Sequence, residues 1–126
     1  MKEFRVTLTQ RAGELARLAE LLTNASIDLR TVAAISEGNK AHVCLVVTDV
    51  AATRGVLEEA RMPFEESEVL SELLEDNVGQ IAVLTTKLGN AGLNVKSFYI
   101  LARDNPLVEI GFTVDDPKKA KKALAD

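Results

Sequence analysis

The 126-residue sequence contains one cysteine, one histidine, three prolines and no tryptophan. A single cysteine cannot build a disulfide framework, so we expect a protein of the reducing cytoplasm. One histidine and one cysteine are also too few for the ligand cluster of a typical zinc site. The composition therefore predicts neither a metal nor any other cofactor.

Two further features are missing. No apolar run approaches the ~20 residues of a membrane-spanning helix, and the first residues lack the apolar core of a signal peptide. The formal net charge is −4, and lysines cluster only near the end of the sequence. This charge argues against nucleic acid as the main partner. Hydrophobic residues make up 47% of the sequence, as expected for a globular chain.

The sequence does contain an internal repeat with an offset of 66 residues. The segment TQRAGELARLAELLTNASIDL aligns without a gap with EDNVGQIAVLTTKLGNAGLNV, and Gly13 aligns with Gly79. The glycine, the apolar spacing of a helix and the following turn all agree in this one register. Such a repeat indicates one structural unit that is used twice.

The residue patterns predict the same elements in both copies. Alternating or continuous apolar residues predict strands, and apolar residues at helical spacing predict helices. In the first copy we expect strands at 3–9, 27–36 and 41–48, the last of them central, with helices at about 14–24 and 50–60 and an extended acidic segment at 64–68. In the second copy we expect strands at 68–74, 93–102 and 107–114, with helices at about 80–89 and after 115. Asp49 and Asp115 are the predicted N-caps of the second helix in each copy.

The order of elements predicts the fold class. We expect an α+β protein of two tandem ferredoxin-like βαββαβ units, residues 1–66 and 67–126, in which the second unit lacks its last strand. Each unit should have an antiparallel sheet with both helices on one face. No long linker separates the units, so we expect them to pack side by side in one continuous sheet. The bare edge of the second unit predicts pairing with a second chain, as in a homodimer, or with the extended segment 63–74.

This arrangement resembles the ACT domain, a small regulatory module that binds ligands. More narrowly, it resembles the stand-alone proteins with two ACT units in tandem. The resemblance covers nearly the whole chain and is carried by the two aligned segments and by the linking stretch PFEESEVLSELLED. The usual family loop ends in arginine-proline-glycine, whereas the loops here read Arg11-Ala12-Gly13 and Asn77-Val78-Gly79.

The resemblance implies a regulatory module that binds an amino acid at the seam between two ACT units. The residues that it assigns to ligand binding are Gln10, Ala12, Gly13, Asp28, Asp76, Val78, Gly79 and Asn94. Elementary chemistry agrees for the loops, because backbone N–H groups at the start of a helix attract an anion such as an α-carboxylate. A glycine in the loop also lets the backbone approach a ligand closely.

Most of these residues have a structural interpretation as well. Gly13 and Gly79 can simply permit a tight turn between a strand and a helix. Asp28 and Asn94 follow helix ends, where aspartate and asparagine commonly form turns, and Gln10 can be a solvated side chain. The sequence leaves both interpretations open.

No group of residues predicts catalysis. An enzyme needs a base, a nucleophile or a metal in a pocket, whereas His42 and Cys44 both lie in a predicted core strand. With no cationic neighbour visible in the sequence, Cys44 is expected to be a structural thiol. We therefore expect no enzyme activity. The alternative to the ligand-binding module is a ligand-free module for protein–protein assembly on the same fold.

Overall fold

The computed structural model describes residues 1–125, and its strands follow the alternation of apolar residues in the sequence. In the first strand Phe4, Val6 and Leu8 are buried, whereas Arg5 and Thr7 between them are only half-buried. Successive side chains of a strand point to opposite faces of a sheet. The alternation therefore presents one apolar face of the sheet to the core.

The chain divides into two compact units, Met1–Ser67 and Glu68–Asp126. The first unit contains strands β1 (Lys2–Thr9), β2 (Leu29–Glu37), β3 (Lys40–Val47) and β4 (Phe64–Glu68), and helices α1 (Glu14–Asn24) and α2 (Val50–Glu59). The second unit contains strands β5 (Leu70–Glu75), β6 (Val95–Asp104) and β7 (Leu107–Val114), and helices α3 (Gln80–Asn90) and α4 (Pro117–Leu124). In the described part of the chain no strand follows α4. None of the helices in residues 1–125 is both long enough and apolar enough to cross a membrane.

Each unit has its own antiparallel sheet, which confirms the predicted α+β fold. The strand order is β2-β3-β1-β4 in the first sheet and β5-β7-β6 in the second. β3 is an inner strand, as its apolar residues on both faces predicted. The prediction of one continuous sheet is wrong, because the hydrogen bonds join the strands into two sheets and the chain changes sheets at Val69, between β4 and β5. The side-by-side packing of the units stays a prediction.

One hydrophobic core lies between the sheet and the helices in each unit. In the first unit, Leu18 and Leu22 of α1 and Leu57 of α2 belong to the same buried cluster as Phe4 and Val6 of β1. Both helices therefore cover the same face of the sheet, as in the ferredoxin-like pattern. The core of the second unit includes Leu84, Leu88, Ile110, Phe112 and Ala120.

Strand β4 is joined to its unit by a ring contact and by an ion pair. The ring centroids of Phe64 and Phe4 lie 5.5 Å apart. Arg54 of α2 donates two hydrogen bonds to the Glu66 carboxylate, over 2.6 Å from Nε and 2.7 Å from Nη2, and Lys2 Nζ lies 3.5 Å from the same carboxylate. The hydrogen bonds from Arg54, with a smaller effect of Lys2, lower the pKa of Glu66 to about 2.

The second unit contains one extra residue in β6. Ile100 pairs with Ile110 but Ala102 pairs with Glu109, so Leu101 is a bulge residue without a partner in the ladder. A Cβ added to Gly111 of β7 would come within 2.8 Å of the Leu101 side chain, so glycine makes room for the bulge there. β6 accordingly has ten residues where β2 has nine.

The bulge explains why the predicted cap at Asp115 is wrong. Asp49 caps α2 as predicted, by accepting a hydrogen bond from a backbone amide of the first turn. The corresponding cap of α4 is Asp116, which follows Asp49 by 67 residues instead of 66. Asp115 accepts hydrogen bonds from Asn94 instead. Beyond the bulge, equivalent residues of the two units are therefore 67 positions apart.

Replacing Glu66 with glutamine should destabilise the protein near neutral pH and have progressively less effect in acid. Folding lowers the pKa of Glu66 from 4.5 to about 2, so the ionised carboxylate stabilises the folded chain above about pH 4.5. That stabilisation disappears as the pH falls toward about 2, where the folded chain also binds the proton. Urea unfolding at a series of pH values measures the difference between the wild type and Glu66→Gln.

The matched control is Glu20→Gln, which changes an exposed carboxylate of α1. At each pH of the series, this variant should have the same urea midpoint as the wild type. A loss in Glu66→Gln that is equally large at every pH would contradict the role of the charge.

Candidate functional site

The two loops that join a strand to a helix have the same hydrogen bonds. We call residues 10–13 the first glycine loop and residues 76–79 the second glycine loop. The backbone amide of Gln10 in the first and that of Asp76 in the second each donate to the β-hairpin turn of their own unit, over 2.8 Å in both cases. The repeat seen in the sequence thus extends to the hydrogen bonds that hold the loops.

Both loops end in a glycine with a left-handed backbone. The φ angle is 89° at Gly13 and 93° at Gly79, and each glycine is the N-cap residue of the following helix. A Cβ added to either glycine would meet no atom within 4 Å. Glycine is therefore required by the backbone conformation and not by crowding. Both residues do form the tight turn that their structural interpretation predicted.

The helices α1 and α3 begin without a side-chain cap. Among residues 1–125, the backbone amides of Gly13 and Leu15 have no acceptor, and the same holds for Gly79 and Ile81. The positive end of the helix dipole adds to these free N–H groups. Each loop therefore has the local chemistry of an anion-binding position.

In the first unit the glycine loop borders a cleft of about 250 Å³. Gln10, Arg11 and Glu14 lie at its polar rim, where Arg11 Nη2 and Glu14 Oε1 form an ion pair over 3.1 Å. Leu15 of α1 lies at the cleft with half of its surface exposed. The lining residues from β2 and β3 are Ala34, Ile35, Ser36, Ala41 and Val43. The cleft thus combines an apolar interior with a polar rim beside the free amides.

The second unit has a counterpart at the same place in the fold, with a volume of only about 40 Å³. Asp76 of the second glycine loop and Ile81 of α3 line it, as Gln10 and Leu15 line the first. Arg103 of β6 reaches across it, with its Nε 3.7 Å from Asp76 Oδ2. The other lining residues from β6 and β7 are Ile100, Val108 and Ile110.

The predicted site residues fall into two groups. Six of them lie in the glycine loops: Gln10, Ala12, Gly13, Asp76, Val78 and Gly79. Asp28 and Asn94 precede β2 and β6, at the opposite end of the helix from the loop of their own unit. Since each of these helices has eleven residues, it separates the two groups by roughly 16 Å. Neither Asp28 nor Asn94 lines the cleft of its own unit.

Asn94 is engaged within its own unit. Its backbone N–H and its side-chain Nδ2 donate to the Asp115 carboxylate over 3.1 and 3.0 Å. These two bonds keep the pKa of Asp115 below its usual value, and the bond from the Asn94 side chain has the larger effect. The geometry therefore supports the structural interpretation of Asn94 as a residue that fixes the start of β6.

Several residues at the clefts were not anticipated from the sequence. Ala34 and Ser36 lie within β2, and Arg103 lies near the end of β6. No sequence motif marks these strand positions. The bulge at Leu101 also shifts the residues that follow it, so their equivalence in the two units does not follow from the ungapped repeat. The alternating pattern alone would have placed them as ordinary strand residues.

Cys44 of β3 pairs in the ladder with Arg5 of β1, a cationic neighbour that the sequence did not reveal. Burial of the thiol, reinforced by the charge of Glu3, nevertheless raises the pKa of Cys44. A raised pKa leaves little reactive thiolate, which agrees with a structural role. Residues 1–125 hold no group of three or more histidine, cysteine, aspartate or glutamate side chains that could hold a metal ion.

Several solved structures share this fold. The protein BT0572 from Bacteroides thetaiotaomicron has 17% sequence identity and a TM-score of 0.87, over 98% of this chain and 85% of that chain. The ligand-free regulatory subunit of aspartate kinase from Thermus thermophilus has 12% identity and a TM-score of 0.70, over 98% and 87%. The same subunit from Thermus flavus has 14% identity and a TM-score of 0.63, over 98% and 89%.

No protein-family model matches the sequence, and no curated protein is similar to it in sequence. The identities to the solved structures are low, so those likenesses establish the fold. Two ferredoxin-like units in one chain, together with these structural neighbours, give the protein the fold of a tandem ACT protein. The resemblance seen in the sequence is confirmed at this level.

Replacing Gly13 with alanine should lower the free energy of unfolding by about 1–2 kcal/mol, because a Cβ disfavours the left-handed backbone. Gly55 offers a matched control, since it is exposed in the middle of α2 and has open space around it. Gly55→Ala should raise the free energy of unfolding by about 0.5–1 kcal/mol, because alanine is the better helix residue. Urea unfolding measures both changes, and a Gly13→Ala variant as stable as the wild type would contradict the assigned conformation.

Proposed function

We propose that this protein is a non-catalytic regulatory module that binds a free amino acid at a glycine loop. The observation that supports this function most directly is the set of free backbone amides at the start of α1 and α3. The left-handed conformations of Gly13 and Gly79 leave these amides exposed in the loop. Amides without a protein acceptor are available to an acceptor on a ligand.

An α-carboxylate suits such a position. It is small and negatively charged, and it accepts hydrogen bonds from several N–H groups at once. Each charge-assisted hydrogen bond contributes about 1.5–3 kcal/mol. After the loss of ligand entropy is subtracted, a few such bonds give affinities of roughly micromolar to millimolar. This range suits a sensor of a free metabolite.

The fold supports a regulatory role. Regulatory subunits of aspartate kinase from two Thermus species share it over nearly the whole of this chain. A ligand can regulate only if it binds one state of its protein better than another. We therefore propose that the amino acid shifts this protein between two states of assembly or of partner binding.

The clefts give no support to catalysis. Cys44 and His42, the residue types that most often serve as nucleophile and base, lie in β3 and line neither cleft. The cleft carboxylate of Glu14 is paired with Arg11, and that of Asp76 with Arg103.

One observation favours assembly as a second candidate function. β5 and β6 are the edge strands of the three-stranded sheet in the second unit. Edge strands expose backbone groups that can pair with another chain. This supports a homodimer, either as the form in which the ligand acts or as the whole function of a ligand-free assembly module.

The ligand-binding function and the assembly function predict different results in a thermal-unfolding screen with the twenty common amino acids, each at about 10 mM. A ligand that binds only the folded chain at one hundred times its Kd stabilises it by about 2.7 kcal/mol. We expect one amino acid, or a few of similar chemistry, to raise the Tm by several degrees.

The matched control is the methyl ester of each active amino acid, which keeps the side chain and the amino group but lacks the carboxylate charge. The ester should leave the Tm unchanged if the carboxylate binds the loop amides. A screen in which no amino acid raises the Tm would reject the ligand-binding function and favour the assembly module.

A further inference from the structure

We propose that, of the two repeated clefts, the cleft in the first unit is the ligand site, and that its ligand is an amino acid with an aliphatic side chain. This inference rests on the proposed function and names the ligand class. Two observations carry it: the change in size between equivalent residues of the two clefts, and the chemistry of the first cleft's walls.

The equivalent wall residues are identified by the pairing of the strands. Ala34 pairs with Val43 in the first unit, and Ile100 pairs with Ile110 in the second. Ser36 pairs with Ala41, and Arg103 pairs with Val108 in the same way. The four equivalences are Ala34 with Ile100, Ser36 with Arg103, Ala41 with Val108, and Val43 with Ile110.

At each of these four positions the second unit carries the larger side chain. The combined effect is the fall in cleft volume from about 250 to about 40 Å³. A space of that smaller size has room for only a few water molecules. The larger volume lies just below the range of roughly 300–1,000 Å³ that is typical of small-molecule pockets. The first cleft therefore fits a ligand of amino-acid size, and the second is filled by its own walls.

Arg103 also changes the charge at the second cleft. Its guanidinium lies 3.7 Å from the Asp76 carboxylate, whereas the two equivalent positions of the first unit carry the neutral side chains of Ser36 and Gln10. The pair places two charged groups beside the second glycine loop, where a ligand would have to displace them. The ion pair at the first cleft, Arg11 with Glu14, joins the loop to the first turn of its own helix, and no charged side chain of β2 or β3 lines that cleft.

The walls of the first cleft select the side chain of the ligand. Leu15 is 51% exposed and lies at the cleft beside Ala34 and Val43, so the walls offer apolar surface that an aliphatic group would cover. The two charged residues at the rim, Arg11 and Glu14, are paired with each other over 3.1 Å. A charged ligand side chain would lose its hydration against apolar walls without a free partner of opposite charge. With its carboxylate at the loop amides, an aliphatic amino acid satisfies both parts of the cleft.

Calorimetric titration of the full-length protein with leucine, aspartate and lysine tests the ligand class. Leucine should bind with a Kd at least about tenfold lower than that of either charged amino acid. If aspartate or lysine binds as tightly as leucine, the aliphatic class is wrong while the proposed function stands. If none of the common amino acids binds, the inference fails together with the proposed function.

A pair of reciprocal variants tests the location. Ala34→Ile gives the first cleft the side chain of the second, and Ile100→Ala makes the reverse change in the second unit. Both positions are exposed strand residues, so both variants should fold. Ala34→Ile also introduces a good strand former. Thermal unfolding of each variant checks that it is folded. Ala34→Ile should weaken leucine binding at least about tenfold, whereas Ile100→Ala should leave the Kd within about twofold. Unchanged binding in a folded Ala34→Ile variant, or an equal loss in both variants, would overturn the proposal.

Discussion

A left-handed glycine at the junction of a strand and a helix is the constraint on which this structure depends. After β1 and β5, the chain turns at Gly13 and Gly79 into the first helix of each unit. Because the turn uses a φ that other residues adopt only with strain, the helix begins without a side-chain cap. The same conformation therefore fixes the packing of the helix on the sheet and exposes the amides that can bind an anion.

The sequence was sufficient to predict most of the fold. The alternation of Phe4, Val6 and Leu8 placed β1, and the apolar residues on both faces of β3 placed it inside the sheet. It was not sufficient for the register of the second unit. The bulge at Leu101 inserts one residue without a glycine or proline at that position to mark it. An alignment without a gap therefore placed the cap of α4 at Asp115, one residue before the true cap at Asp116.

Only the part of the candidate site that lies in the glycine loops was predictable from the sequence. Gly13 and Gly79 stood out because the repeat aligned them, and both proved to be left-handed. The walls of the clefts come from the middle and the ends of strands, where Ala34 and Ile100 look like any other strand residues. Their importance depends on strand pairing, which the sequence does not reveal. Duplication thus kept the loop in both units, while wall substitutions left an open cleft in only the first.

In the proposed complex, the free amides of Gly13 and Leu15 bind the carboxylate of an aliphatic amino acid. The most direct measurement is an amide NMR titration of the ¹⁵N-labelled protein with leucine. We expect large shift changes for the amides of the first glycine loop and the first turn of α1, with little change at Gly79 and Ile81. Unchanged amides at Gly13 and Leu15 under saturating leucine, or changes confined to the second glycine loop, would contradict it.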